Sequence, residues 1–466
     1  MSNGKSYDLA IVGSGSAAFS AAIRASDLGA RVAMVELGIV GGTCVNVGCI
    51  PSKAELAAAA HRHRAAHNPF PGIVTTSGVD LDELVAAKDE IVRVLRQERY
   101  LDLIEHYGFE LVEGTAHFAD PDTLLVDGRP LPAERYLLAA GASPVAPAIE
   151  GLAEAAYLTS TTALELRELP RRLVVVGGNY VGLEFAQLFA RLGSEVTVIE
   201  MLDRIAPFEE PEASDVLEEV FRTEGIVVVT GARVERIGVE GSEKAVYATV
   251  DGNDRRFPAD ELLVATGRRA NTEPLDLDRA AVEIDEHGQI AVDPTLRTTN
   301  PRVFAAGDVT AAPQFVYVAA AMGAAAAENA LTNGERTIDY SALPRITFTN
   351  PQIAAVGLTE EQANEQGIAS SSSTLPLDYV PRALVERDTR GIVKIVIERA
   401  SRRIVGATVV AEGAGDVILA AVYAVQFGLT VDQVVDTWAP YLTMSEGFKL
   451  AAETFDREVA HLSCCA

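Results

Sequence analysis

The sequence predicts an α/β protein made of two similar doubly wound domains and a third domain of α+β type, and three observations predict it. A unit of strand, glycine turn, helix, strand and acidic residue occurs twice. Each copy is matched later by a strand that exits into glycine, LLAAGASP at residues 137–144 and LLVATGRRA at residues 262–270. From about residue 341 the texture changes to strands at 391–397 and 404–410 and helices at 416–427 and 431–439. A chain of 466 residues holds two to four domains of ordinary size. With 48% apolar and 23% charged residues it is globular and can bury large cores.

The first unit begins with the apolar run Tyr7–Val12, which feeds Gly13, Ser14, Gly15, Ser16, Ala17 and Ala18 and an alanine-rich helix to about Leu28. The next strand, residues 31–35, ends at Glu36. The glycines permit the tight turn and the close approach of a pyrophosphate to a helix N-terminus, and the acid accepts from a ribose hydroxyl. Ala18 stands where the pattern has its last glycine, a replacement it tolerates. In the second unit residues 173–176 lead into Gly177, Gly178, Asn179, Tyr180, Val181 and Gly182, then a helix and the strand Glu195–Ile199 ending at Glu200. Glu36 follows Gly13 by 23 residues, and Glu200 follows Gly177 by 23. Two matched units mean two nucleotide sites of Rossmann type on one chain. Asn179 replaces the middle glycine, and asparagine's tolerance of unusual backbone angles is expected to absorb it.

Between the units lies Gly41 to Lys53, GGTCVNVGCIPSK. Cys44 and Cys49 sit among glycines, with Pro51 just behind them, so Cys49 is expected at a helix N-terminus. There the helix dipole favours thiolate. Helices are expected over residues 53–67 and 81–107, and short strands over 110–139. Residues 302–308, RVFAAGD, read as a strand ending in the carboxylate of Asp308. Domain boundaries fall near 150, 270 and 340: 1–150 with 270–340 as one nucleotide domain, 151–269 inserted as the other, and 341–466 last.

The balance of 39 basic and 66 acidic residues, net −27, argues against nucleic acid and anionic membranes as partners. The longest apolar run, around 315–327, is too short to cross a bilayer. The N-terminus runs straight into a strand, which reads as a chain without a signal peptide. The four cysteines, Cys44, Cys49, Cys464 and Cys465, are too few for a secreted disulfide scaffold. They point to a cytoplasmic protein with dedicated redox thiols. His61, His63 and His67 are separated by arginines and read as a solvated helix face.

Two dinucleotide units, the CxxxxC helix start, ATGRR, FAAGD and a C-terminal α+β domain together resemble the flavoprotein disulfide reductase family, over essentially the whole chain. The resemblance implies a glutathione-reductase-like fold. It also implies FAD on the first unit, NADPH or NADH on the second, and a homodimer through the last domain with active sites shared between subunits. It assigns Gly13, Gly15, Ala17, Ala18, Glu36, Gly42 and Thr43 to the flavin nucleotide, with Ala116 at its adenine, Gly141 at the strand exit and Asp308 on its sugar-alcohol chain. Gly177, Gly178, Tyr180, Val181, Glu200 and Gly267 fall to the second nucleotide. Lys53 and Glu184 match an ion pair near the flavin ring, and Cys49 faces the flavin while Cys44 performs exchange.

Members that act on disulfides carry a histidine followed by acids near the C-terminus, as the base for dithiol exchange. The corresponding residue is Tyr441 in YLTMSE. A phenol of pKa near 10 is a poor base at neutral pH. The chain ends SCCA, and adjacent terminal thiols suit a soft thiophilic ion. YLTM with SCCA resembles the mercury(II)-reducing branch of the family, and Tyr100 matches that branch's other active-site tyrosine. The implied path is capture of Hg(II), arriving as a thiolate complex, by Cys464 and Cys465 of one subunit. The ion then passes to Cys44 and Cys49 of the other, lined by Tyr100 and Tyr441. No GMTCxxC carrier module precedes the first strand, so delivery is expected to rest on the terminal cysteines or small thiols. Two points stay open. Glu200 favours the free ribose of NADH whereas the family usually takes NADPH, and Arg204 is the close basic residue. VIEMLDRI at residues 198–205 favours a dithiol oxidoreductase similar to lipoamide dehydrogenase, the alternative reading.

Overall fold

The structure, a computed structural model, describes residues 6–241 and 243–459, and the chain divides into two compact units. The first unit comprises Met1–Ala54, Asp82–Ala146 and Thr266–Ile338. Its centre is a five-stranded sheet in the order Val303–Ala305, Ala133–Leu138, Tyr7–Val12, Val32–Glu36, Glu110–Glu113, and every pairing is parallel. The inner strands are apolar on both faces, as a sheet covered on both sides requires. The helices Ser16–Asp27 and Val316–Thr332 pack together. Small residues make this possible: a Cβ at Gly323 would lie 2.0 Å from the Ala17 carbonyl oxygen, so the two backbones nearly touch. Ala116–Asp120, Thr123–Val126 and Arg129–Pro130 form a small antiparallel sheet, and Ala142–Pro144 pairs with Arg268–Ala270.

The second unit comprises Glu55–Leu81, Pro147–Ala265 and Asp339–Ala466. It holds a four-stranded parallel sheet, Val227–Val229, Glu195–Ile199, Arg172–Val176, Glu261–Val264, and an antiparallel three-stranded sheet. The C-terminal stretch adds a five-stranded antiparallel sheet in the order Pro344–Thr347, Gln352–Gly357, Ile404–Ala411, Ile392–Glu398, Ser370–Pro376. One face of this sheet packs on the helix Ala414–Gln426 over a core of Val, Ile and Ala. Residues 55–81 group with this unit and not with the first nucleotide sheet. Their side chains explain it: Arg62 donates to the Arg191 carbonyl, and Arg64 pairs with Glu412.

Two local expectations differ from what is seen. The helix expected over 81–107 runs unbroken but carries a π-helical turn, Gln97–Leu101, between Leu81–Arg96 and Asp102–Tyr107, and is stopped by Gly108 in the left-handed conformation. Asn179 needs no unusual backbone angle. Its φ of −112° and ψ of −174° are extended, and it is the N-cap of the helix Tyr180–Leu192.

Candidate functional site

The strand Tyr7–Val12 delivers Gly13 at φ +107°, where a Cβ would stand 2.4 Å from the Ala139 carbonyl oxygen. Only glycine fits both the angle and the space. The hydroxyl of buried Ser14 donates to Glu36 Oε2 at 2.5 Å and accepts from the Gly41 N–H at 3.0 Å. Glu36 Oε1 accepts from the Gly38 N–H at 2.7 Å. Ser14 therefore joins the glycine turn, the acid and the cysteine segment. That segment lies on the turn: a Cβ at Gly42 would be 2.6 Å from Gly15 Cα. Gly15 is the N-cap of Ser16–Asp27 and makes no side-chain cap, so the first-turn N–H groups beside Ala17 and Ala18 remain for an anion. A pyrophosphate needs this cradle, and the residues fit the dinucleotide.

The rest of the first nucleotide set lies in the same unit. Thr43 is in the short helix Gly42–Asn46, and Ala116 is buried at the head of its strand. Gly141 takes φ +69° at its strand exit. Gly267, assigned above to the second nucleotide, takes φ +140° and falls in this first unit instead. The Asp308 carboxyl is pushed up by burial and pulled back by the Arg268 guanidinium 3.9 Å away. Arg268 also donates to the Ala142 carbonyl. It was legible only as a letter in ATGRR.

Cys44 lies in Gly42–Asn46, and Cys49 opens the helix Cys49–Ala66, at the N-terminus the proline implies. Both are half-buried thiols not joined by a disulfide. The Cys44 thiol is pushed far up by its hydrogen bond with Cys49 and by burial, with Lys53, one turn into the helix, opposing. Tyr100 joins them from the π-helical turn. Its phenol is pushed up by burial and by Cys44, with a Ser16 hydrogen bond opposing, and its ring packs edge-on against Phe19 at 4.7 Å. It is thus not a plain surface aromatic. A π turn adds one residue to a helical turn and re-aims the side chains after it. No residue pattern in LRQERYLDLI announces it.

In the second unit Gly177 takes φ +112°, and Glu200 accepts from the Gly178 N–H at 2.5 Å and the Leu202 N–H at 2.8 Å. Glu36 and Glu200 thus use the same device, each accepting from the N–H two residues on and tying back to its glycine turn. Asn179 Oδ1 is buried without a hydrogen-bond partner at the head of the helix. Tyr180 Oη donates to Glu209 at 3.1 Å, and Val181 is exposed. Glu184, 5% exposed, accepts from the Phe348 N–H at 2.9 Å. A Cβ at Gly182 would meet the Gly177 carbonyl oxygen at 1.9 Å, so this copy cannot take the alanine found at Ala18.

Tyr441 is 58% exposed, just before Leu442 at φ +61°, whose N–H donates to buried Glu446 at 3.3 Å. Trp438 is 97% exposed, and Leu419, Tyr423 and Phe427 are exposed at helical spacing. Cys464 and Cys465 lie outside the described residues.

His61 and His67 are exposed, as a solvated face requires, but His63 is half-buried. His63 and His67 are four apart, share a helix face and stack at 4.4 Å. His63 is 3.7 Å from Glu224, which is bridged by Arg191 at 2.6 Å. Burial pushes His63 down to about 4, with Arg191, His67 and Arg390 adding to it and Glu224 opposing. Among the described residues no cluster of three His, Cys, Asp or Glu is arranged to hold a metal. Because the folded value lies below the ordinary 6.5, the unfolded chain binds the extra proton between the two. Stability is full above pH 6.5 and falls as pH drops towards 4. Urea midpoints across that window should show the slope, and His63→Gln should flatten it. An unchanged slope would refute the buried neutral imidazole.

Residues 7–323 match the pyridine nucleotide-disulphide oxidoreductase family, and residues 343–452 match its dimerisation domain. The chain is 55% identical over 469 residues to a mercuric reductase of Streptomyces lividans, covering 99% of this chain and 98% of that one. It is 50% identical over 461 residues to a mercuric reductase of Staphylococcus aureus, covering 99% and 84%. Among solved structures it is similar to the HOCl-induced flavoprotein disulfide reductase RclA from Escherichia coli, with TM-score 0.87 and 30% identity over 96% of this chain and 99% of that one. No helix among the described residues is long and apolar enough to cross a membrane. The chain belongs to the pyridine nucleotide-disulphide oxidoreductase family, as an FAD-dependent enzyme that draws on a pyridine nucleotide and carries that family's dimerisation domain.

Proposed function

We propose that the protein reduces Hg(II) to Hg(0) in the cytoplasm, with NADH as donor and Cys44 and Cys49 as the thiols that hold the ion. The observation that carries this reading is the meeting of two half-buried thiols with Tyr100, whose phenol feels both of them, in a chain at least half identical to two mercuric reductases. Overall, NADH and Hg(II) become NAD⁺, H⁺ and Hg(0), a two-electron exchange. When bound, the flavin relays those electrons between nicotinamide and sulfur.

The protein's own groups do the rest. Cys44 keeps its proton beside Cys49, so it is displaced when the soft ion binds, and one proton leaves as the Hg–S bond forms. Lys53 supplies positive charge one turn into the helix. Tyr441 stands where dithiol-exchanging relatives keep an imidazole, which speaks against a dithiol substrate. Tyr441, Cys464 and Cys465 of the partner subunit would complete the site and deliver Hg(II) from its thiolate complex. The exposed Trp438, Tyr423 and Phe427 are apolar surface suited to the dimer.

Glu200 supports NADH. Its carboxylate is fixed by two backbone N–H groups where ribose hydroxyls would donate, and it repels a 2′-phosphate. The Arg204 guanidinium donates to the Pro207 and Glu209 carbonyls, at 2.9 and 3.4 Å. Donor oxidation with mercuric chloride and excess thiol tests both points. We expect Hg(II)-dependent oxidation, NADH at least tenfold above NADPH in kcat/KM, and no response to lipoamide. Lipoamide-driven turnover without a mercury response would sink the function. A preference for NADPH would overturn only the reading of Glu200.

A further inference from the structure

We infer that Glu209 and Arg345, both outside the glycine turn, are positioning residues for the pyridine-nucleotide site and act through Tyr180; this rests on reading the Gly177 turn as that site. The turn is held on both sides by the segment after Glu200. The Gly178 N–H donates to Glu200, and the Gly178 carbonyl accepts from the Ala206 N–H at 2.8 Å. The same segment runs on into Glu209 and Glu210, each 2% exposed.

Two adjacent carboxylates removed from water repel each other, and each needs its own cation. Both cations come from the five-stranded antiparallel sheet. Lys394 donates to Glu210 at 2.9 Å. Arg345, 136 residues beyond Glu209, donates Nε to Oε1 and Nη2 to Oε2, both at 3.1 Å. Its Nη1 donates to the Gly357 carbonyl at 3.2 Å, which fixes the guanidinium plane. A two-pronged contact of this kind sets the carboxylate's orientation as well as its charge.

The oriented Oε1 also accepts from Tyr180 Oη. Tyr180 is the first residue of the helix Tyr180–Leu192, whose head, on that reading, would face the nucleotide phosphates. A purely structural ion pair would end at Glu209. The tyrosine hydroxyl carries its geometry into the turn.

The test is reduction of bound FAD by NADH in the flavin-loaded enzyme, followed rapidly and without Hg(II). It reads the donor site alone, so failure of mercury turnover with normal flavin reduction would count against the mercury reading and not against this one. The variants are Tyr180→Phe, the pair Glu209→Leu with Arg345→Met, and all three together. The pair removes both buried charges at once, so no lone charge is left to unfold the protein. We expect the NADH concentration for half-maximal rate to rise at least fivefold in Tyr180→Phe and in the pair, the limiting rate to fall less than that, and the triple variant to be no worse than the pair. Half-maximal concentrations within twofold of the parent, or effects that multiply in the triple variant, would overturn the inference. If the pair does not fold, Tyr180→Phe decides it alone by the same fivefold and twofold limits.

Discussion

Cys44→Ala is expected to abolish mercury turnover, by at least about a thousandfold, or about 4 kcal/mol of barrier. Cys49→Ala should do the same. The two thiols lie on successive helices and hydrogen-bond to each other, so neither holds a two-coordinate ion without the other. Reduction of the flavin by NADH should persist in both variants, because the glycine turns that hold the nucleotides contain neither cysteine. Turnover within tenfold of the parent in Cys44→Ala would show that the ion is reduced elsewhere. Loss of flavin reduction as well would show a folding defect rather than a catalytic one.

The second large effect separates the two nucleotide sites. Gly13→Ala forces a side chain into φ +107° and a methyl to 2.4 Å from the Ala139 carbonyl oxygen. The backbone strain alone is worth about 1–3 kcal/mol, and the close contact adds to it. The purified variant should be nearly colourless, with under about a tenth of the flavin retained. Gly182→Ala puts a methyl 1.9 Å from the Gly177 carbonyl oxygen. It should keep its flavin while the NADH KM rises at least tenfold, or about 1.4 kcal/mol. Absorbance of the purified proteins and donor saturation curves read both. Flavin retained in Gly13→Ala, or lost in Gly182→Ala, would contradict the assignment of the turns.

Those turns were legible because each step needs a residue type that nothing else satisfies. Gly13 and Gly177 need positive φ, and Glu36 and Glu200 close the same short circuit of backbone N–H groups. Proline behind Cys49 announced its helix for the same kind of reason. The features that were not legible depend on partners far away in sequence. His63 looked solvated because Glu224 and Arg390, which enclose it, lie far along the chain. Nothing near Glu209 in the sequence announces Arg345, which pairs with it from 136 residues further on. The π turn that presents Tyr100 has no marker in the letters of residues 97–101, which would serve an α-helix equally well.

The most direct test collects mercury vapour while NADH is consumed, with mercuric chloride and excess thiol and in the absence of oxygen. One Hg(0) should be released for each NADH oxidised, and in Cys44→Ala neither should rise above the background. NADH consumed by the parent enzyme without mercury vapour would contradict the claim that the electrons end on the metal.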